Sequence, residues 1–94
     1  MQVHIEYHGQ SRSCAGCGTE TIEIDSDADL RLVLETLAER HGDVMRNLLF
    51  DAQGNVSRTM LVFLGDEQVD WQQPPTLSDG ARVTFLSPIS GGCR

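Results

Sequence analysis

Lysine is missing from this chain: its seven basic residues are all arginine. No side-chain amine is therefore available as an acyl acceptor, and polymeric lysine-linked chains of the protein are excluded. A genome that prefers arginine codons accounts for the same absence equally well. Long apolar runs are missing too. None approaches the roughly 18–20 residues that cross a bilayer, so no membrane association is expected. Met1-Gln2-Val3-His4-Ile5-Glu6 lacks a basic segment followed by an apolar one, so no signal peptide is visible and a cytoplasmic protein is expected. Positive charge is scarce, with 7 basic against 14 acidic residues and a net charge of −7. That balance speaks against nucleic acid as a partner, because phosphate binding depends on cations. It suits partners with basic docking surfaces, although a solvated acidic face gives the same composition. Cysteine is sparse and odd in number, at three. Without a secretion signal, that argues against a disulfide scaffold.

What is present fits one domain with a single modest core, in a chain of 94 residues. Residues 1–87 form the expected domain and 88–94 a flexible tail. Val3, Ile5 and Tyr7 alternate with His4 and Glu6, which is the period of a half-buried strand. Gly9 to Gly18, rich in Gly, Ser and Cys, reads as a long hairpin loop. Thr19 to Asp25 resumes the alternation, with Ile22 and Ile24 inward. Ser26 or Asp27 is a candidate cap for a helix of about four turns. Its apolar stripe is Leu30, Val33, Leu34 and Leu37, and Gly42 closes it. Such a stripe is core, and neither the helix nor His41 is assigned a functional role. Asp43 to Leu49 suits a further helical turn. Met60 to Leu64 reads as a buried strand, Glu67 to Trp71 as a short edge strand ended by Pro74-Pro75, and Arg82 to Leu86 as the last strand.

The resulting order is β-β-α-β-β-β. It predicts an α+β, β-grasp (ubiquitin-like) fold: a mixed sheet of four to five strands with one main helix packed on one face. Its first and last strands lie parallel, which the intervening helix crossover permits. The core is expected to include Ile5, Leu34, Val62, Leu64, Val83 and Phe85.

The last strand runs into Ser87-Pro88-Ile89-Ser90-Gly91-Gly92-Cys93-Arg94. A glycine pair has no Cβ, so this tail is thin enough to thread a narrow channel. The segment from Leu77-Ser78-Asp79-Gly80 through Val83-Thr84-Phe85 and Pro88-Ile89 to Gly91-Gly92 resembles the C-terminal signature of the MoaD/ThiS family of ubiquitin-like sulfur carriers. The resemblance implies that the protein is no enzyme and binds no cofactor of its own. It implies that an E1-like (MoeB/ThiF-type) adenylating enzyme uses ATP to activate the carboxylate of Gly92. A persulfide or sulfurtransferase then supplies sulfur, leaving a thiocarboxylate for a downstream sulfur-accepting enzyme. Cys93-Arg94 depart from most of the family, because an amide at Gly92 is not open to adenylation. A subset ending in Gly-Gly-Cys-X, the QbsE-like carriers of thioquinolobactin-type siderophore pathways, resembles this tail. There a zinc metallopeptidase of the JAMM deubiquitinase type trims the chain between residues equivalent to Gly92 and Cys93.

Two rival functions share the tail: a ubiquitin-like protein modifier, and the small subunit of molybdopterin synthase. An iron–sulfur carrier is rejected, since a plant-type cluster needs four cysteines in a fixed spacing. Cys14-Ala15-Gly16-Cys17 is left with three readings: inert thiols, a redox or disulfide-forming pair, or half of an intermolecular metal site. Because the first and last strands run parallel, the loop that carries this pair is expected at the end of the sheet from which Gly91-Gly92 leaves.

Overall fold

The computed structural model describes residues 1–86, so the expected tail, with Gly91, Gly92 and Cys93, lies outside the described residues. Strand β1 (Gln2–His8) buries Val3, Ile5 and Tyr7 and turns His4 and His8 outward. It pairs antiparallel with β2 (Thr19–Glu23), in a register running from Gln2↔Glu23 to Glu6↔Thr19.

The connection between these strands is a short helix, α1 (Gln10–Ala15), where composition had suggested only a loop. Gly9 leaves the strand at φ 67° and Gly16 ends the helix at φ 74°, a left-handed conformation that glycine adopts without strain. Between them Ser11 is fully buried, and its hydroxyl donates to the carbonyl of His8 at 2.8 Å. A six-residue helix shows too little periodicity to be legible among Gly, Ser and Cys.

Helix α2 (Leu30–His41) begins three residues later than the earliest capping candidate, Ser26, allows. Asp25 to Ala28 form a turn closed by Ala28 N–H to the Asp25 carbonyl at 3.0 Å, which uses up Ser26 and Asp27. The cap is instead Asp29, whose carboxylate accepts from the Leu32 amide at 2.8 Å. Leu30, Val33, Leu34, Leu37 and Ala38 are buried, and Gly42 closes the helix with its amide on the Ala38 carbonyl. Helix α3 (Asp43–Leu49) follows directly and buries Met45 and Leu49.

The remaining strands are β3 (Leu61–Leu64), β4 (Glu67–Gln68) and β5 (Ala81–Leu86). They complete a five-stranded sheet in the order β2-β1-β5-β3-β4, with β1 and β5 parallel and the other pairs antiparallel. Strand β4 is shorter than the alternation implied. Val69 makes one more bond to Val62 at 2.8 Å, and Asp70 then folds the chain into a turn, accepting from the Gln72 amide at 3.0 Å. Leu64, expected in the core, is only half-buried beside this short edge. The other five expected core residues are buried, in one cluster that joins the α2 stripe to β1, β3 and β5.

Leu34 is fully enclosed in that cluster. Leu34→Ala is expected to lower stability by about 2–5 kcal/mol, the usual cost of emptying a leucine site. Urea unfolding measures it, and a loss below about 0.5 kcal/mol would show that the stripe does not carry the core.

Candidate functional site

The site begins at the root of the tail. Strands β1 and β5 pair in parallel, with Tyr7 opposite Phe85 and His8 opposite Leu86, so both finish at the same end of the sheet. Strand β5 is bonded on its other side to β3, with Leu61 opposite Leu86. Val83 and Phe85 are fully buried, and the Tyr7 ring stacks on Phe85 at 5.8 Å. The chain therefore leaves the domain from an inner strand held on both sides. Helix α1 lies at this end: the Ser11 hydroxyl is 3.5 Å from the Phe85 carbonyl. The predicted placement of the Cys14–Cys17 segment beside the tail root is thus met.

Beside the root, the sheet face opposite the helices carries an apolar patch that sequence reasoning did not pick out. Leu61 and Leu86 face each other across β3 and β5 and are 38% and 42% exposed. Phe63, opposite Thr84, is the next outward residue on β3. The alternation itself held the signal, because Val62 facing inward forces Leu61 and Phe63 outward.

A second feature at this end is the carboxylate of Glu20, on β2. It accepts from the Tyr7 hydroxyl at 2.9 Å, pairs with His41 Nε2 at 2.6 Å, and meets Arg40 at 3.1 Å. The Cys17 thiol lies 3.8 Å away. This network ties the C-terminal turn of α2 to β1 and to the segment after α1. It gives His41 a structural partner that spacing did not reveal. Burial pushes the Tyr7 hydroxyl far above the usual tyrosine range, and its hydrogen bond to Glu20 adds to the shift. Burial likewise raises the Cys17 thiol, with the Glu20 charge adding to it.

Cys14 and Cys17 are not joined to each other. Cys17 is a free thiol, whereas Cys14 is disulfide-bonded. Among the described residues, no group of three or more His, Cys, Asp or Glu is placed to hold a metal ion. No helix among them is long and apolar enough to cross a membrane.

Sheet order, parallel central pair and crossing helix define a β-grasp, ubiquitin-like domain. The chain matches the ThiS family over residues 5–92 and belongs to that family of ubiquitin-like sulfur carriers and modifiers. No curated protein matches it by sequence. Among solved structures it is similar to SAMP1 from Haloferax volcanii, at 20% identity, TM-score 0.85, and 98% and 100% coverage of the two chains. It is also similar to a putative molybdopterin converting factor subunit 1 from Pyrococcus furiosus, at 24% identity, TM-score 0.73, and 94% and 98% coverage. CysO from Mycobacterium tuberculosis is 22% identical, with TM-score 0.66 and 90% and 97% coverage. At these identities the likeness establishes the fold.

The raised thiol and phenol set a pH dependence. Above the ordinary cysteine pKa of about 8.5 the unfolded chain releases a proton that folded Cys17 retains, and above about 10 the same holds for Tyr7. Folding stability is therefore expected to fall from about pH 8.5 upward and more steeply past about 10. Urea unfolding at a series of pH values from about 8 to about 11 measures the slope. In Tyr7→Phe the second, steeper fall should vanish; its persistence would contradict the assignment.

Proposed function

We propose that this protein is a sulfur carrier whose working terminus is the carboxylate of Gly92. The observation that carries the proposal is the extent of the family match, which runs to residue 92 and leaves Cys93 and Arg94 outside it. On this reading a JAMM-type zinc metallopeptidase first hydrolyses the Gly92–Cys93 bond and releases Cys93-Arg94. An E1-like adenylating enzyme then joins the freed carboxylate to AMP, with loss of pyrophosphate from ATP. A persulfide sulfur displaces AMP, and a thiol reduces the resulting acyl disulfide to the thiocarboxylate. A downstream enzyme of biosynthesis in the cytoplasm accepts that sulfur; the Gly-Gly-Cys-Arg ending favours a siderophore or related thioacid product.

The domain supplies no general acid or base for these steps. Its part is to hold the tail root rigid while the tail reaches another protein's active site. The exposed Leu61 and Leu86 beside the root, with the half-buried Phe63 next to them, suit the docking of that partner. A second reading, as a protein modifier, is favoured by the likeness to small archaeal modifier protein 1 of H. volcanii, at TM-score 0.78. It uses the same activated Gly92 but ends in an amide to a lysine of another protein, this chain having none of its own.

Incubation with ATP, an E1-like enzyme and a persulfide donor separates precursor from mature chain. The chain ending at Gly92 should form the adenylate and then exchange oxygen for sulfur by intact mass. The chain retaining Cys93-Arg94 should do neither, and equal activation of both forms would overturn the precursor reading. Gly92→Trp in the shortened chain should abolish adenylation with an unchanged melting temperature, because residue 92 lies beyond the packed strand β5.

A further inference from the structure

We propose that the cleft beside β3 and β4 is a binding site for a small organic carboxylate. Its apolar body lies against Val69 and Trp71, and its carboxylate pairs with the Arg58 guanidinium. The site is independent of the chemistry at Gly92.

The cleft exists because β4 is short. Val69 makes the last bond of this hairpin, to the Val62 carbonyl at 2.8 Å, and the Asp70 turn then carries the chain away from β3. Past that point β3 has no strand neighbour on this side. The segment 55–60 and the first turn of α2 supply the remaining walls. The space between them is about 560 Å³, within the roughly 300–1,000 Å³ of small-molecule sites. Met60 and Val62 close its floor, at 4% and 2% exposure, while Val69 and Trp71 are half-buried and keep apolar surface open. Leu61 borders this cleft and also belongs to the outward patch facing Leu86. A bound molecule therefore lies next to the surface offered to partners.

Charge selects the ligand. Two of the seven arginines, Arg31 and Arg58, line the cleft, in a chain whose net charge is −7. Asp29 is the one carboxylate among the described lining residues, and it is occupied as the α2 cap on the Leu32 amide. Arg31 is committed to the fold: it lies 5.4 Å over the Phe50 ring and donates to the Gly54 carbonyl. Arg58 is different. It is exposed, and among the described residues no carboxylate or carbonyl holds its guanidinium. Its planar fork suits a carboxylate, which it can bind through two parallel hydrogen bonds. The Trp71 indole N–H also lacks an acceptor among the described residues, and it is open to solvent. An inorganic anion would gain nothing from the apolar walls, and a neutral apolar molecule nothing from Arg58. A nucleic acid needs a denser row of cations than this pair.

Trp71 is the only tryptophan of the chain and reports on its own site. The full chain is titrated with octanoate and with cyclohexanecarboxylate while Trp71 emission is followed. Both should give a saturable shift, with a Kd on the order of 1 mM for ligands of this size. The corresponding neutral amides, and acetate or phosphate, should bind at least about fivefold more weakly. Arg58→Ala should weaken octanoate about five- to tenfold at an unchanged melting temperature, as expected for an ion pair at a cleft mouth. Arg82→Ala, which removes an arginine outside the cleft, should bind as the wild type. Amide shift changes in a ¹H–¹⁵N spectrum should centre on Met60 to Val62 and Val69 to Trp71. The absence of a saturable response, equal binding of octanoate and its amide, unchanged binding by Arg58→Ala, or shift changes centred elsewhere would each overturn the site.

Discussion

The parallel pairing of β1 with β5 is the constraint on which the rest of this structure depends. Parallel neighbours need a crossover, and the helices between β2 and β3 supply it while covering the buried face of the sheet. The same pairing brings the ends of both strands together, Tyr7 beside Phe85 and His8 beside Leu86. The features tied to the tail gather at that end as a consequence. The tail leaves there, α1 and its cysteine stand there, and the Glu20 network braces the strands from beneath through Tyr7.

A carrier of this type separates two mechanical demands. The tail must be thin and able to enter a partner's channel, whereas its root must not move. Ladder bonds on both flanks of β5, with Phe85 packed under Tyr7, meet the second demand. The apolar pair Leu61 and Leu86 lies on the opposite face from Phe85, away from the core. The packed root and the outward apolar pair beside it are produced by alternate residues of the same two strands.

Much of this was legible in the sequence because it rests on period. Val3, Ile5 and Tyr7, the stripe Leu30 to Leu37, and Val83 with Phe85 each repeat at the spacing of the element they form, and all are buried. From those strands and the crossover the parallel pair followed, and with it the location of the Cys14 segment. What was not legible depends on contacts between distant residues. Helix α1 is too short for a period, and Ser11 is fixed by a carbonyl that belongs to β5. The cap at Asp29 depends on a preceding turn, and the end of β4 on the Asp70 side chain folding back. His41, assigned no role from its position after the α2 stripe, is bound by Glu20 from β2, a partner 21 residues away. The different states of Cys14 and Cys17 were equally hidden, because spacing alone made the two thiols equivalent.

The central claim is that Gly92 becomes the sulfur-bearing end of the chain. Top-down mass spectrometry of the endogenous protein, isolated from its own cells after alkylation of the lysate, tests it most directly. The account predicts a chain ending at Gly92 with sulfur in place of one carboxylate oxygen, trapped as its S-alkyl thioester. A pool that retains Cys93-Arg94 throughout, or ends at Gly92 only as a carboxylate or as an amide to another protein, would contradict it.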